Sequence, residues 1–238
     1  LNGSHVKASL TALSVADCPS LVLPESVALP ALRDFDVSGC FEAPVAAIAA
    51  VVARHRGTLR RLGASRLPQL AAAPSTVAEF VDKAFAHPFP GLTTLEIDAV
   101  GASGYLALSE RLVRRTGRAA PALRSLHLRN TCGWAGGGSA ASPLADDAFP
   151  QLTSLDINGV AAADAAQALM AAASGCPRLT SVACAGDVGA VTRGHAESIA
   201  GAFAALIGAR GAALTAVDVS DRADAGAVLE RLAAARRP

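Results

Sequence analysis

The sequence predicts an α/β repeat fold, a solenoid of short parallel strands stacked side by side with helices on the return path. Three observations lead there. The stretch Phe149-Pro150-Gln151-Leu152-Thr153-Ser154-Leu155-Asp156-Ile157-Asn158-Gly159-Val160 nearly repeats Phe89-Pro90-Gly91-Leu92-Thr93-Thr94-Leu95-Glu96-Ile97-Asp98-Ala99-Val100. Both read L-x-x-L-x-I-x-x-V after a Phe-Pro lead-in, and weaker copies run along the whole chain. Between most copies the apolar spacing changes from alternation to the helical period.

Aligned on the first leucine there are eight copies, at Leu10, Leu32, Leu59, Leu92, Leu123, Leu152, Leu179 and Leu214. The intervals run from 22 to 35 residues and average about 29, within the range of solenoid repeats. Each x-L-x-L segment reads as a short strand with one buried face. Between them, Ala43 to His55 predicts a helix with Pro44 in its first turn and Val45, Ile48 and Val52 inward. Thr76-Val77-Ala78-Glu79 reads as a capping box opening a helix to Ala86, with Val77, Phe80, Val81 and Phe85 inward. Tyr105, Leu108 and Leu112 mark the next, ending near Gly117. Ala161 to Ala173 is another, with Gly175 as its stop. Thr192 to Ile207 and Asp224 to Ala235 complete the set, presenting Ile199, Phe203 and Leu206, then Val228 and Leu232. One interval departs: residues 132–148 are glycine-rich, predict a helix-free loop, and hold the only tryptophan, Trp134. Strand then helix, repeated, implies parallel strands. A single unit cannot bury its apolar face alone, so residues 1–238 are expected to form one cooperative domain of about eight irregular repeats.

Composition agrees with an ordered chain and supplies no global field. Hydrophobic residues make up 52% of the 238 and the net charge is +1, which attracts neither nucleic acid nor an anionic membrane. The longest apolar run, Ala43 to Ala53, is too short to span a bilayer. Five cysteines make no even disulfide framework, which favours a reducing, cytoplasmic setting. Cys18, Cys40 and Cys184 fall at or near strand ends, where a buried thiol is a common filler. Asn2-Gly3-Ser4 has the form of a glycosylation sequon. The chain begins at Leu1 and reads as a fragment, or processed piece, of a longer array.

The eight copies of L-x-x-L-x-L with helices between them resemble the leucine-rich repeat family, of the ribonuclease-inhibitor-like type, and the resemblance covers nearly the whole chain. Cys176-Pro177-Arg178-Leu179-Thr180-Ser181-Val182-Ala183-Cys184 is similar to the cysteine-containing subtype found in F-box substrate receptors. The resemblance implies a horseshoe-shaped solenoid, with parallel strands on its concave face and helices on its convex one. It also implies a protein-binding role for the concave face.

With the strands in register, the residues between the apolar positions form rows on that face. The central row holds Ser14, Asp36, Gly63, Glu96, His127, Asp156, Ala183 and Asp218. The next holds Ala16, Ser38, Ser65, Asp98, Arg129, Asn158, Ala185 and Ser220. Neighbouring strands lie about 4.8 Å apart, so Glu96, His127 and Asp156 are expected side by side, with Asp98, Arg129 and Asn158 in the adjacent row. The expected site is a polar stripe, basic at its centre between acidic flanks, made of Asp36, Glu96, Asp98, His127, Arg129, Asp156, Asn158 and Asp218. Trp134 joins it as the residue type most often found anchoring interfaces. The competing account is mutual neutralisation on a wet face, at about 0–1 kcal/mol per exposed pair.

Other chemistries fit less well. Ser125, His127 and Asp156 invite a hydrolase reading, but Ser125 and His127 share a strand two residues apart, with no strained elbow and no oxyanion turn. Glu96 and Asp156 as paired carboxylates on an open stripe are expected to stay solvated, with little shift in pKa. The five histidines are scattered without ligand spacing, so no metal is expected, and each reads as a surface or capping residue. The glycine run around Gly136 lacks the Gly-Lys-Ser/Thr of a phosphate loop. Arginines 54, 56, 60, 61 and 66, and 111, 114, 115 and 118, cluster without aromatics for base stacking, which suits a solvated face. The expectation is therefore a scaffold for a protein partner, without catalysis or cofactor. The alternatives are a substrate-receptor segment of a ubiquitin-ligase complex, or a structural part of a large assembly.

Overall fold

A computed structural model describes residues 8–24, 28–67, 70, 74–98, 106–130, 144, 148–160, 162–186, 193–210, 213–220, 222 and 225–235. Eight strands alternate with helices: β1 (Ala12–Ser14), β2 (Asp34–Asp36), α1 (Val45–Arg54), β3 (Arg61–Gly63), α2 (Pro74–Ala84), β4 (Thr94–Asp98), α3 (Leu106–Ala119) and β5 (Ser125–Arg129). Then follow β6 (Ser154–Asp156), α4 (Ala162–Gly175), β7 (Ser181–Ala183), α5 (Arg193–Arg210), β8 (Ala216–Asp218) and α6 (Ala225–Ala235). The strands form a single parallel sheet in sequence order, β1 to β8. This is a solenoid-like α/β arrangement, with each inner strand paired to the one before and the one after.

The register matches the repeat alignment. Leu13, Phe35, Leu62, Leu95, Leu126, Leu155, Val182 and Val217 pair in one unbroken row. From Phe35 to Val182 this row is buried, and it belongs to the same apolar cluster as Ile48 and Val52 of α1, Phe80 and Val81 of α2, Leu112 of α3, Leu169 of α4 and Phe203 of α5. One face of the sheet is thus sealed by helices. Burying each such side chain contributes about 1.5–3 kcal/mol, so the row and its helical cover hold the array together.

The recurrent threonine after the first leucine has a structural reason. Thr93 donates its hydroxyl to the Arg60 carbonyl, Thr153 to Arg124 and Thr180 to Thr153, each at 3.1 Å, and Thr215 to Thr180 at 3.2 Å. The same carbonyls receive the threonine backbone N–H and the next one, as Arg60 does from Thr93 and Thr94. The hydroxyl therefore adds a bond between repeats at the point where each strand begins.

A second repeated device ends the strands. Asp17, Gly39, Arg66, Asn130, Gly159 and Gly186 all have φ between 52° and 72°, and all fall three residues past the central strand position. Each of these six turns thus places one residue in the left-handed region. Glycine, aspartate and asparagine tolerate this well, while Arg66 does so at a cost of about 1–2 kcal/mol.

Helix ends differ from expectation by a few residues. Pro44 caps α1 with extended backbone (φ −61°, ψ 125°) instead of entering its first turn. The helix expected to open at Thr76 begins at Pro74, whose ring fixes φ near the helical value. Among the described residues no helix stands between β1 and β2, where the interval is the shortest of the array. Between α3 and α4 the chain joining β5 to β6 enters the helical layer: Leu144 and Phe149 are buried, and Gly117 of α3 lies against Ala148 and Phe149. Cys40, Cys176 and Cys184 are buried fillers, but Cys18 is exposed, beside the strand that forms one edge of the sheet among the described residues. No helix among the described residues is long and apolar enough to cross a membrane.

Candidate functional site

Residues alternating with the buried row point to the face that the helices leave open. Ser14, Asp36, Gly63, Glu96, His127, Asp156, Ala183 and Asp218 pair in order along it, as the alignment requires. Asp98 and Arg129 are register partners at the ends of β4 and β5. Beside them, the Asn130 N–H donates to the Asn158 carbonyl at 2.7 Å. Glu96, His127 and Asp156 are therefore adjacent. Asp36 is separated from Glu96 by the Gly63 strand, and Asp218 from Asp156 by the Ala183 strand. Trp134 and nearly all of the glycine-rich stretch lie outside the described residues.

The centre of the site is Asp156, only 5% exposed. Arg129 donates to its Oδ2 from Nε at 2.7 Å, and Nη2 of the same guanidinium lies 2.6 Å from that oxygen. His127 Nδ1 lies 3.4 Å from the same oxygen, and the Asn158 N–H donates to Oδ1 at 3.1 Å. Burial alone would raise the Asp156 pKa. The bonds from His127, Arg129 and Asn158 outweigh it and hold the carboxyl down to about 2, from an ordinary 3.8. The same bond to Asp156, against the opposing effect of burial, raises the Arg129 guanidinium.

This corrects one expectation: Asp156 is not a solvated acid on an open stripe, because Arg129 and His127 cover it. Arg129, at the centre of the stripe, binds Asp156 on the next strand instead of its register partner Asp98. Asp98 accepts from Asn130 Nδ2 at 2.6 Å.

Towards the first strands the charges also pair. Arg61 clasps Glu96 through Nε and Nη2, each at 3.0 Å, and that bond raises the Arg61 pKa. Gly63 lies between Asp36 and Glu96 in the row, and a Cβ there would come within 2.7 Å of Asp36 Oδ1. Arg66 reaches Asp17 at 2.8 Å across Gly39, where a Cβ would overlap the Asp17 carboxylate. The arginine cluster of this region is thus shared out among separate partners, since Arg60 also donates to the Gly91 carbonyl at 3.1 Å.

Asp36, Asp156 and Asp218 share one local device, in which Oδ1 accepts the N–H two residues on, from Ser38, Asn158 and Ser220 at 3.0, 3.1 and 2.9 Å. Asn158 in turn accepts the Ala185 N–H. Sequence reasoning set Ser125 aside, placed Arg61 in a solvated cluster, and missed Asn130. The recurring Asp-x-Ser/Asn at strand ends was the readable signal for the turns, and alternation back from Gly63 and His127 pointed to Arg61 and Ser125. His55 is a structural histidine: Nδ1 bonds the Val51 carbonyl at 2.8 Å and Nε2 accepts the Leu29 N–H at 2.9 Å, capping α1. Among the described residues no group of three or more His, Cys, Asp or Glu is placed to hold a metal ion.

No protein-family model matches the chain, and no curated protein matches it either.

Proposed function

We propose that the chain is a leucine-rich-repeat scaffold that binds a protein partner through the open face of its sheet, the concave face of a horseshoe, with the Trp134 stretch as a further contact. One observation carries this reading: eight in-register strands carry a continuous row of alternating side chains on the face that no helix covers among the described residues. The central ion pairs neutralise one another, so recognition falls to shape and to the polar groups around them. Asp98, Asp218, the strand serines and the exposed edge of Arg129 supply those groups. Binding on a preformed surface needs no turnover and no cofactor. A cytoplasmic setting belongs to the same proposal.

The test is charge reversal on the open face against charge reversal on a helix. Partners captured by the wild-type chain are compared with those captured by Asp98→Lys/Asp218→Lys and by Glu230→Lys on α6. Loss of the same protein from the first variant alone supports the reading. Loss from the second alone, with the first unaffected, moves the interface to the helices and overturns it.

A further inference from the structure

We propose that Ser125 is a base-activated nucleophile, a site at which this chain accepts an acyl group from an activated ester or thioester. Ser125 Oγ lies 2.7 Å from His127 Nε2, and His127 Nδ1 faces Asp156 Oδ2 at 3.4 Å. An ionised carboxylate only accepts hydrogen bonds, so the ring hydrogen belongs on Nδ1 and the Nε2 lone pair meets the serine hydroxyl. Nucleophile, base and orienting acid are thus in the sequence that activation requires. Geometry defines such a constellation, whatever fold carries it.

The repeat explains how it forms. Residues two apart on a strand project from the same face, so the His127 ring turns back along β5 to reach Ser125. Asp156 occupies the register position beside His127 on β6 and is itself held by Arg129 and the Asn158 N–H. Spacing on one strand is therefore no obstacle, contrary to the expectation from sequence. Ser154 and Ser181 take the same position as Ser125 on the next two strands, but two residues further on they meet Asp156 and Ala183. Of these three serines only Ser125 has an imidazole. The His127 side chain is 26% exposed, so solvent-borne reagents reach the pair.

The surroundings limit the donor. The Ser125 N–H is spent on the Thr93 carbonyl at 2.9 Å, and Arg129 is committed to Asp156, so neither is aimed at a tetrahedral oxyanion. The donor must bring its own good leaving group, which excludes amides. In the step itself, a bond forms from Oγ to the acyl carbon and the bond from that carbon to the leaving oxygen or sulfur breaks. The serine proton passes to Nε2 and then to the leaving group. Nothing is oxidised or reduced.

The test uses the intact chain and p-nitrophenyl acetate, following p-nitrophenolate release and locating the acetyl group by peptide mass spectrometry. Ser125 should be acetylated about a hundredfold faster than Ser154 and Ser181, and His127→Gln should slow it by a similar factor. Equal labelling of the three serines overturns the proposal, as does an unchanged Ser125 rate in a His127→Gln variant shown to be folded by circular dichroism. Should that variant fail to fold, the comparison of the three serines within the wild-type chain still decides.

Discussion

Asp156 and Asp218 occupy the same place on their strands, two strands apart, and each binds the N–H two residues on. Asp156 is buried and takes three further contacts from Arg129 and His127, while Asp218 is exposed at the last strand. The rows beneath them differ in the same way: Leu126 and Leu155 are fully buried, whereas Leu13 and Val217 at the two ends are only partly covered. The comparison teaches that a repeat's own sequence sets its backbone, while its neighbours set its chemistry. Side chains from two strands must meet before a carboxylate is desolvated.

The largest effect that would break this comparison lies in the buried row. Leu126→Ala should cost about 2–5 kcal/mol in chemical denaturation, by lost transfer energy plus the cavity left behind. Val217→Ala, at an end already partly exposed, should cost about 1 kcal/mol or less. Equal losses would mean that the ends are as well packed as the centre.

Next comes pH. The Asp156 pKa lies lower in the folded chain than its ordinary 3.8, so its contribution is full above about pH 4 and is lost as pH falls through about 2. That contribution is on the order of 2 kcal/mol. The Asp218 pKa is also lowered, first by the Ser220 N–H, but that group is exposed and should matter far less. Stability measured down the acid limb should flatten in Asp156→Asn and keep its wild-type slope in Asp218→Asn. The reverse ranking would remove the distinction between them.

The fold was legible in the sequence because burial repeats. Leucine spacing alone places every strand and sets the register, since a slip by one residue would turn the whole apolar row outward. The rows of the open face follow from that register, so the neighbourhood of Glu96, His127 and Asp156 could be read as well. What Arg129 binds could not. A guanidinium on a long side chain reaches several strands, and here it joins His127 and the Asn158 N–H at Asp156 while Asn130 takes Asp98. The left-handed turn at Arg66 was hidden for a related reason. Arginine does not advertise that conformation, and the repeat's backbone imposes it against the residue's own preference.

The smallest predicted effects concern the glycine-spaced ion pair near the first strands. At Gly39 a Cβ would overlap the Asp17 carboxylate, and φ is +72°, so Gly39→Ala should cost about 1–2 kcal/mol and push Asp17 off Arg66. Arg66→Ala removes the same pair without overlap. Both partners are about half exposed or more, so it should cost no more than about 0–1 kcal/mol. Arg66→Gly separates the two contributions, because it loses the pair but relaxes a left-handed residue, and should be neutral or slightly stabilising. Thermal denaturation of the three variants should therefore rank Gly39→Ala lowest, then Arg66→Ala, then Arg66→Gly. An Arg66→Gly variant less stable than Arg66→Ala would show that turn strain is not what separates these positions from the buried pair at Asp156.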